Sequence, residues 1–183
     1  MTTNSTTQDA VTTWTLDAAH TRVGFEVKHM MFAKVRGQFT DVEGTVHLAE
    51  GGPSSAQVVI RAASIDTGQA QRDDHLRSAD FFDVERFPEL TFAGEGTATA
   101  DGSFVLAGEL KIRDVARQVE LTVEESGRGV DPWGQERIGY TATTVLDRRD
   151  FGLTWNQALE AGGILVGNEV KIVIDLQAVR AAS

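Results

Sequence analysis

Residues 66–92 read DTGQAQRDDHLRSADFFDVERFPELTF, and this is where a chain that otherwise alternates apolar and polar residues stops alternating. Thr67 is placed to cap a short helix, and Asp73 and Asp74 follow close enough to its N-terminal end to favour the helix dipole. Leu76, Ala79, Phe81 and Phe82 return an apolar face every three to four residues, the spacing of a helix resting on a core. Pro88 ends the pattern, holds Phe87 extended, and lets Leu90 and Phe92 open a strand. The stretch therefore predicts a short crossing helix over residues 68–83, set as a lid or plug between two strands of a sheet.

Outward from it, both flanks read as β-hairpins. Val23, Phe25 and Val27 alternate with Gly24, Glu26 and Lys28, the pattern of a half-buried strand. Met30, Met31, Phe32 and Ala33 break the pattern with a short apolar run more like a helical turn. From Val35 to Ala49 the apolar phase shifts from odd (Val35, Phe39) to even (Val42, Val46, Leu48), which predicts a bulge near Thr40 and Asp41 and a bend of the kind barrel closure requires. Gly94 and Gly96 predict a kink at a barrel corner. Asp101 and Gly102 are a hairpin signal. Phe104, Leu106, Leu110 and Ile112 form a clean inward face, repeated by Val119, Leu121 and Val123. GRGVDPWG at 127–134 reads as a wide turn, and Ile138, Tyr140, Ala142, Thr144 and Leu146 as another strand. RRDFGLTWNQALEAGGILVG at 148–167 reads as a loop with about one helical turn, before a last strand at 170–179. About eight substantial strands joined by turns predict an all-β, antiparallel up-and-down barrel or a sandwich.

Composition narrows the function. The chain has 183 residues, enough for one domain at residues 13–180 behind a Thr-rich, loose tail at 1–12. The absence of cysteine excludes disulfides, thiolate nucleophiles and cysteine-ligated metals. A formal charge of −10 argues against nucleic acid as a partner and against adhesion to anionic lipid, both of which need clustered Lys and Arg. The first residues lack the basic start and apolar run of a secretory signal, and no stretch approaches the ~20 apolar residues of a membrane span. A cytoplasmic location without stable membrane insertion is the expectation.

Few residues point to chemistry. His20, His29, His47 and His75 are the only histidines, and none pairs with another at the spacing of a local metal site, so no metal is expected. His75 beside Asp73 and Asp74 could serve as an acid/base group or simply hydrogen-bond the crossing helix. No nucleophile elbow, phosphate loop or dinucleotide fingerprint occurs. Against the acidic background stand the pairs Lys34 with Arg36, Arg72 with Arg77, and Arg148 with Arg149, whose guanidinium forks could receive an anionic head group or pair with neighbouring carboxylates. Arg148 and Arg149 are adjacent, so at most one is expected to face a barrel mouth.

Four segments, in order, carry a resemblance: DAAHTRVGFEVKH, VRGQFTDVEGTV, RDDHLRSADFFDVERFPELTF and DRRDFGLTWNQALEAGGILVGNEVKI. Together they resemble the YceI-like family of polyisoprenoid-binding proteins across residues 14–178. The resemblance implies an eight-stranded, lipocalin-like antiparallel barrel with an elongated apolar pocket. It further implies binding, and carrying or sequestering, of a long-chain amphiphile: a polyprenyl pyrophosphate, a quinone or a fatty amide. On that reading Val23, Phe25, Val27, Phe39, Leu90, Phe92, Leu110, Ile112, Ile138, Tyr140 and Trp155 line the pocket, and Arg36, Arg72, Arg148 and Arg149 are the head-group candidates. No other cofactor is expected, and a homodimer is compatible. Burial of the chain contributes roughly 0.8 kcal/mol per methylene, so the tail should set affinity and the head orientation. An isoprenoid-directed enzyme, or a stress-linked protein whose barrel is filled by its own side chains, remain alternatives.

Overall fold

The computed structural model describes residues 10–182. Most of the expected tail at 1–12 lies outside the described residues, and its last residue, Thr12, opens the first strand. The strands are β1 (Thr12–Leu16), β2 (Arg22–His29), β3 (Ala33–Phe39), β4 (Val42–Ala49), β5 (Gly52–Arg61), β6 (Ile65–Asp66), β7 (Glu89–Ala98), β8 (Phe104–Ile112), β9 (Val115–Val130), β10 (Glu136–Asp147) and β11 (Val166–Arg180), with one α-helix, α1 (Ala70–Arg77), between β6 and β7. Three pairs of segments are halves of bent strands. β1 and β2 are joined through a 3-10 turn at Ala18–His20, β3 and β4 through Thr40 and Asp41, and β5 and β6 through a second 3-10 turn at Ala62–Ser64. Eight long antiparallel strands result, each pairing with its neighbour in sequence. The ring closes where β11 meets β1 (Trp14 opposite Arg180) and β2 (Val23 opposite Ile174).

The bend between β3 and β4 explains the shift of apolar phase. Phe39 and Val42 are both buried on the inner face although three residues apart, and Thr40 and Asp41 take up the extra residue. Glycine permits the tight coiling of β7: a Cβ on Gly96 would lie 1.9 Å from the Pro53 carbonyl oxygen of β5. In β8 the inward set holds, with Leu106 and Ile112 buried and Lys111 exposed. The turn expected at 127–134 is shorter. β9 continues to Val130, and only Asp131–Gln135 turns, where the Asp131 carboxylate accepts from the backbone N–H groups of Trp133 and Gln135.

Helix α1 occupies Ala70–Arg77 within the expected 68–83, and residues 78–87 continue as a chain of turns. Thr67 does not cap it. Gly68 takes φ +77°, which swings Thr67 beside the first turn, and the buried Asp73 carboxylate accepts from the Thr67 backbone N–H (2.9 Å) and hydroxyl (2.6 Å). The crossing is tied to the barrel by Arg77, which donates to the carbonyls of Ala63 (3.0 Å) and Ile65 (2.9 Å). Among the described residues no helix is long and apolar enough to cross a membrane.

Candidate functional site

The two ends of the barrel differ. Where β11 finishes, Trp14, Leu48, Ile138 and Ala178 are buried against one another in a single core and fill the interior. Toward the end where β11 begins, the interior stays open as a cavity of about 230 Å³, roofed by Leu76 of α1 and by Phe81 and Phe82. Its lining surface is wholly apolar. Val23, Phe25, Val27, Phe39, Leu90, Phe92, Leu110, Ile112 and Tyr140 line it. Their common placement follows from the period-2 alternation of strands whose odd or even set faces inward.

Two residues expected in the lining lie elsewhere. Ile138 is 1% exposed and belongs to the packed end, because β10 begins there and Ala178 faces it directly. Trp155 stands outside the cavity in the 148–165 connection, with its ring edge-on to His75 at 4.6 Å and tilted to Phe81 at 5.4 Å. It clamps the crossing to that connection. His75 completes the cluster, 5.2 Å from Phe81, and its Nε2 bonds the Asp80 carboxylate at 2.8 Å. Asp74 pairs with Arg77 at 3.1 Å. The Asp73, Asp74 and His75 group therefore holds the crossing segment together, and none of the three faces the cavity.

The arginines separate sharply. Arg36 lies on the outer surface, paired with Glu26 at 2.9 Å. Arg72 donates to the Thr67 hydroxyl (2.7 Å) and carbonyl (2.9 Å). Arg149 points outward onto Asp147 and holds that carboxyl down to about 2. Arg148 points inward and is 6% exposed. Its Nε donates to the Gly167 carbonyl (2.8 Å), Nη1 to those of Leu153 (2.6 Å) and Trp155 (2.9 Å), and Nη2 to the Val166 carbonyl (3.3 Å) and Asn168 Oδ1 (3.4 Å). A guanidinium has five N–H groups, so every one has an acceptor. No carboxylate is among them, and burial pulls its pKa below the ordinary arginine value. Arg148 thus lends the cavity wall its stem and braces the connection with its fork. As head-group contacts the four arginines are accounted for differently than expected: none directs an N–H into the cavity.

The split between Arg148 and Arg149 arises from a 3-10 turn at Arg148–Phe151, which starts with the Asp147 carboxylate accepting from the Arg149 N–H and ends at Gly152 with φ +75°. The bracing by Arg148 has no signal in the sequence, because its acceptors are backbone carbonyls. One further polar group lies in the wall. The Tyr140 hydroxyl is buried without a partner, and burial together with the nearby Glu125 carboxylate pushes its pKa up to about 12. Glu125 itself is held in a two-pronged pair with Arg128 at 2.8 and 2.7 Å, which lowers its pKa.

The barrel fold is shared by solved structures. BcnA of Burkholderia cenocepacia superposes with a TM-score of 0.76 at 24% identity, over 88% of this chain and 98% of that one. A polyisoprenoid-binding domain from Saccharophagus degradans implicated in plant cell wall breakdown gives 0.66 at 16% identity, over 92% and 98%. Both likenesses are of fold. In sequence the chain is 32% identical over 166 residues to a UPF0312 protein of Staphylococcus aureus, covering 88% of this chain and 94% of the relative. The YceI-like domain matches residues 14–178, from the middle of β1 to the last inward residue of β11, and takes in every strand of the barrel and the helix that roofs it. The chain belongs to the YceI-like family.

Proposed function

We propose that this protein binds a long-chain amphiphilic lipid of the polyprenyl class, carrying or sequestering it with the apolar tail in the barrel cavity. The observation that carries the reading is the lining: a cavity walled without polar surface, closed at one end and covered at the other by a helix and a loop. Such a space favours hydrocarbon, since every water-exposed methylene transferred into it gains roughly 0.8 kcal/mol. At about 230 Å³ it is smaller than the ~300–1,000 Å³ typical of sites that enclose a drug-sized ligand. The far end of a long chain lodges inside, and the remainder runs out of the covered end with its head group outside the barrel.

A binding role is favoured over catalysis by what the lining lacks. Among the described residues no Asp, Glu, His, Lys or Ser lines it, and the fork of Arg148 is taken up by four backbone carbonyls and Asn168 Oδ1. General acid/base work needs such a group within hydrogen-bond reach of the reacting atom. Competition binding with a polyprenyl pyrophosphate and its uncharged alcohol tests the reading. Comparable affinities, within a few-fold, are expected if the tail dominates. A preference for the pyrophosphate of a hundredfold or more would mean that a head-group site of fixed cations governs binding.

A further inference from the structure

The β2–β3 hairpin ends in Met30, Met31 and Phe32, which are 42%, 60% and 80% exposed. Large apolar side chains at a loop tip are unusual, and here the backbone disfavours them too. Met30 and Met31 take φ of +52° and +69°, consecutive left-handed positions that hairpins normally give to glycine or asparagine. Methionines held there against backbone preference point to a use for the side chains. The tip is joined to the connection before β11: the Met30 N–H donates to the Leu165 carbonyl at 2.8 Å, and a Cβ on Gly163 would lie 3.2 Å from Met31 Sδ.

Lys28 and Lys34 face each other across the base of the hairpin, giving the segment KHMMFAK an apolar point with a cation on each arm. Glu26 pairs with Lys34 and Arg36, and Lys28 has no carboxylate partner among the described residues. Beyond a screening length of ~8–10 Å the net charge of −10 counts for less than the charges at the hairpin itself, where Lys28 is the cation left without a carboxylate.

The tip also stands beside the cavity. Val27 and Val166 line the cavity, and the hairpin turns just beyond them. Between the pairs Val166–His29 and Val170–Val27 the ladder is interrupted: residues 167–169 of β11 stand opposite Lys28 alone, and Arg148 holds that edge through Gly167 and Asn168.

We propose that the Met30–Met31–Phe32 tip, with Lys28 and Lys34 behind it, docks reversibly on a lipid bilayer surface and sets the interrupted β2–β11 seam against the headgroup layer, where the ligand enters and leaves. Apolar tip residues enter the interface while flanking lysines keep their ammonium groups at the level of lipid phosphates. The seam then offers the tail a route from one apolar phase to another. The purpose of the docking rests on the lipid-binding reading given above, whereas the docking itself does not.

Flotation with vesicles of phosphatidylcholine, alone or mixed with phosphatidylglycerol, tests it on the full chain. The wild type is expected to float with both, more strongly with the anionic mixture. Phe32→Asp should reduce the bound fraction about tenfold or more, the effect of withdrawing one large apolar side chain. Met30→Gly together with Met31→Gly should also lose vesicle binding while the melting temperature holds or rises, because glycine relieves the left-handed backbone. Binding of a polyprenyl alcohol presented in detergent should be unchanged in both variants. If the wild type takes the alcohol from detergent but never floats, or floats as well as its variants, docking is overturned and the cavity reading stands. If it floats but takes up no alcohol, docking stands and the cavity reading fails. Self-association of the wild type that Phe32→Asp abolishes would assign the tip to a second copy of the chain and overturn the bilayer.

Discussion

Arg148→Met would remove the fork that braces the connection between β10 and β11 while leaving an aliphatic side chain of similar length. The carbonyls of Leu153, Trp155 and Gly167 and Asn168 Oδ1 lose the Arg148 donor, while the Val166 carbonyl keeps the Asn156 side-chain N–H at 2.7 Å. Leu153 is 5% exposed, and a buried acceptor left unsatisfied costs about 1–3 kcal/mol. The other three belong to half-buried residues that water can reach, so each loses only the net value of a hydrogen bond, about 0.5–1.5 kcal/mol. Against this, the methionine does not carry the desolvation cost of a buried cation, which amounts to several kcal/mol. The balance is a loss of about 2–4 kcal/mol. Urea unfolding followed by tryptophan fluorescence measures it, with Trp155 lying in the affected connection. Arg148→Lys keeps the charge but not the planar fork, and should forfeit at least half of the same stability. Arg149→Gln, on the exposed side of the same turn, should leave the unfolding curve in place. A loss below 1 kcal/mol for Arg148→Met, or full retention by lysine, would refute the bracing role.

Phe81→Ala should cost about 3–5 kcal/mol, because the ring is buried between His75, Trp155 and the cavity; a urea-melt loss under 1 kcal/mol would place it outside the core. Leu110→Lys should impair folding or lipid uptake severely by placing a charge on the apolar lining, whereas Lys111→Glu on the outer face should be mild; equal mild effects would reverse the assigned register of β8. Tyr140 is the only tyrosine, so tyrosinate absorbance reads it directly. Its midpoint should be about 12 in the folded protein against about 10 in denaturant. Because the folded value is raised, this group's contribution to stability is complete below pH ~10 and is lost as pH rises toward the folded midpoint. A folded midpoint near 10 would show the hydroxyl to be solvated.

The parts of the fold legible in the sequence are those set by local periodicity. β8 could be read because Leu106 and Ile112 fall on one parity with charged residues on the other. The change of face after Phe39 could be read as a bulge because a phase slip in an amphipathic strand has few other physical causes. β1 was less legible: Trp14 and Leu16 alternate with threonines for only five residues, and the strand exists because β4 and β11 flank it. The limits of the helix were blurred for a different reason. Phe81 and Phe82 continue an apolar spacing that turns satisfy as well as a helix does, and Gly68 displaces Thr67 from the cap position. Within the site, strand residues were legible and loop residues were not. Trp155 and the acceptors of Arg148 lie in a connection without periodicity, so their contacts depend on tertiary placement alone. Net charge was the most misleading average, since it hides a hairpin where lysines flank an apolar tip.

A lipid tail in the cavity should be visible by native mass spectrometry of the freshly purified full chain. The expected spectrum carries a mass increment of one long-chain lipid per chain, which organic extraction removes, and which polyprenyl alcohol added in detergent restores. A chain that carries no such increment and acquires none on incubation with the alcohol would contradict the lipid-binding reading.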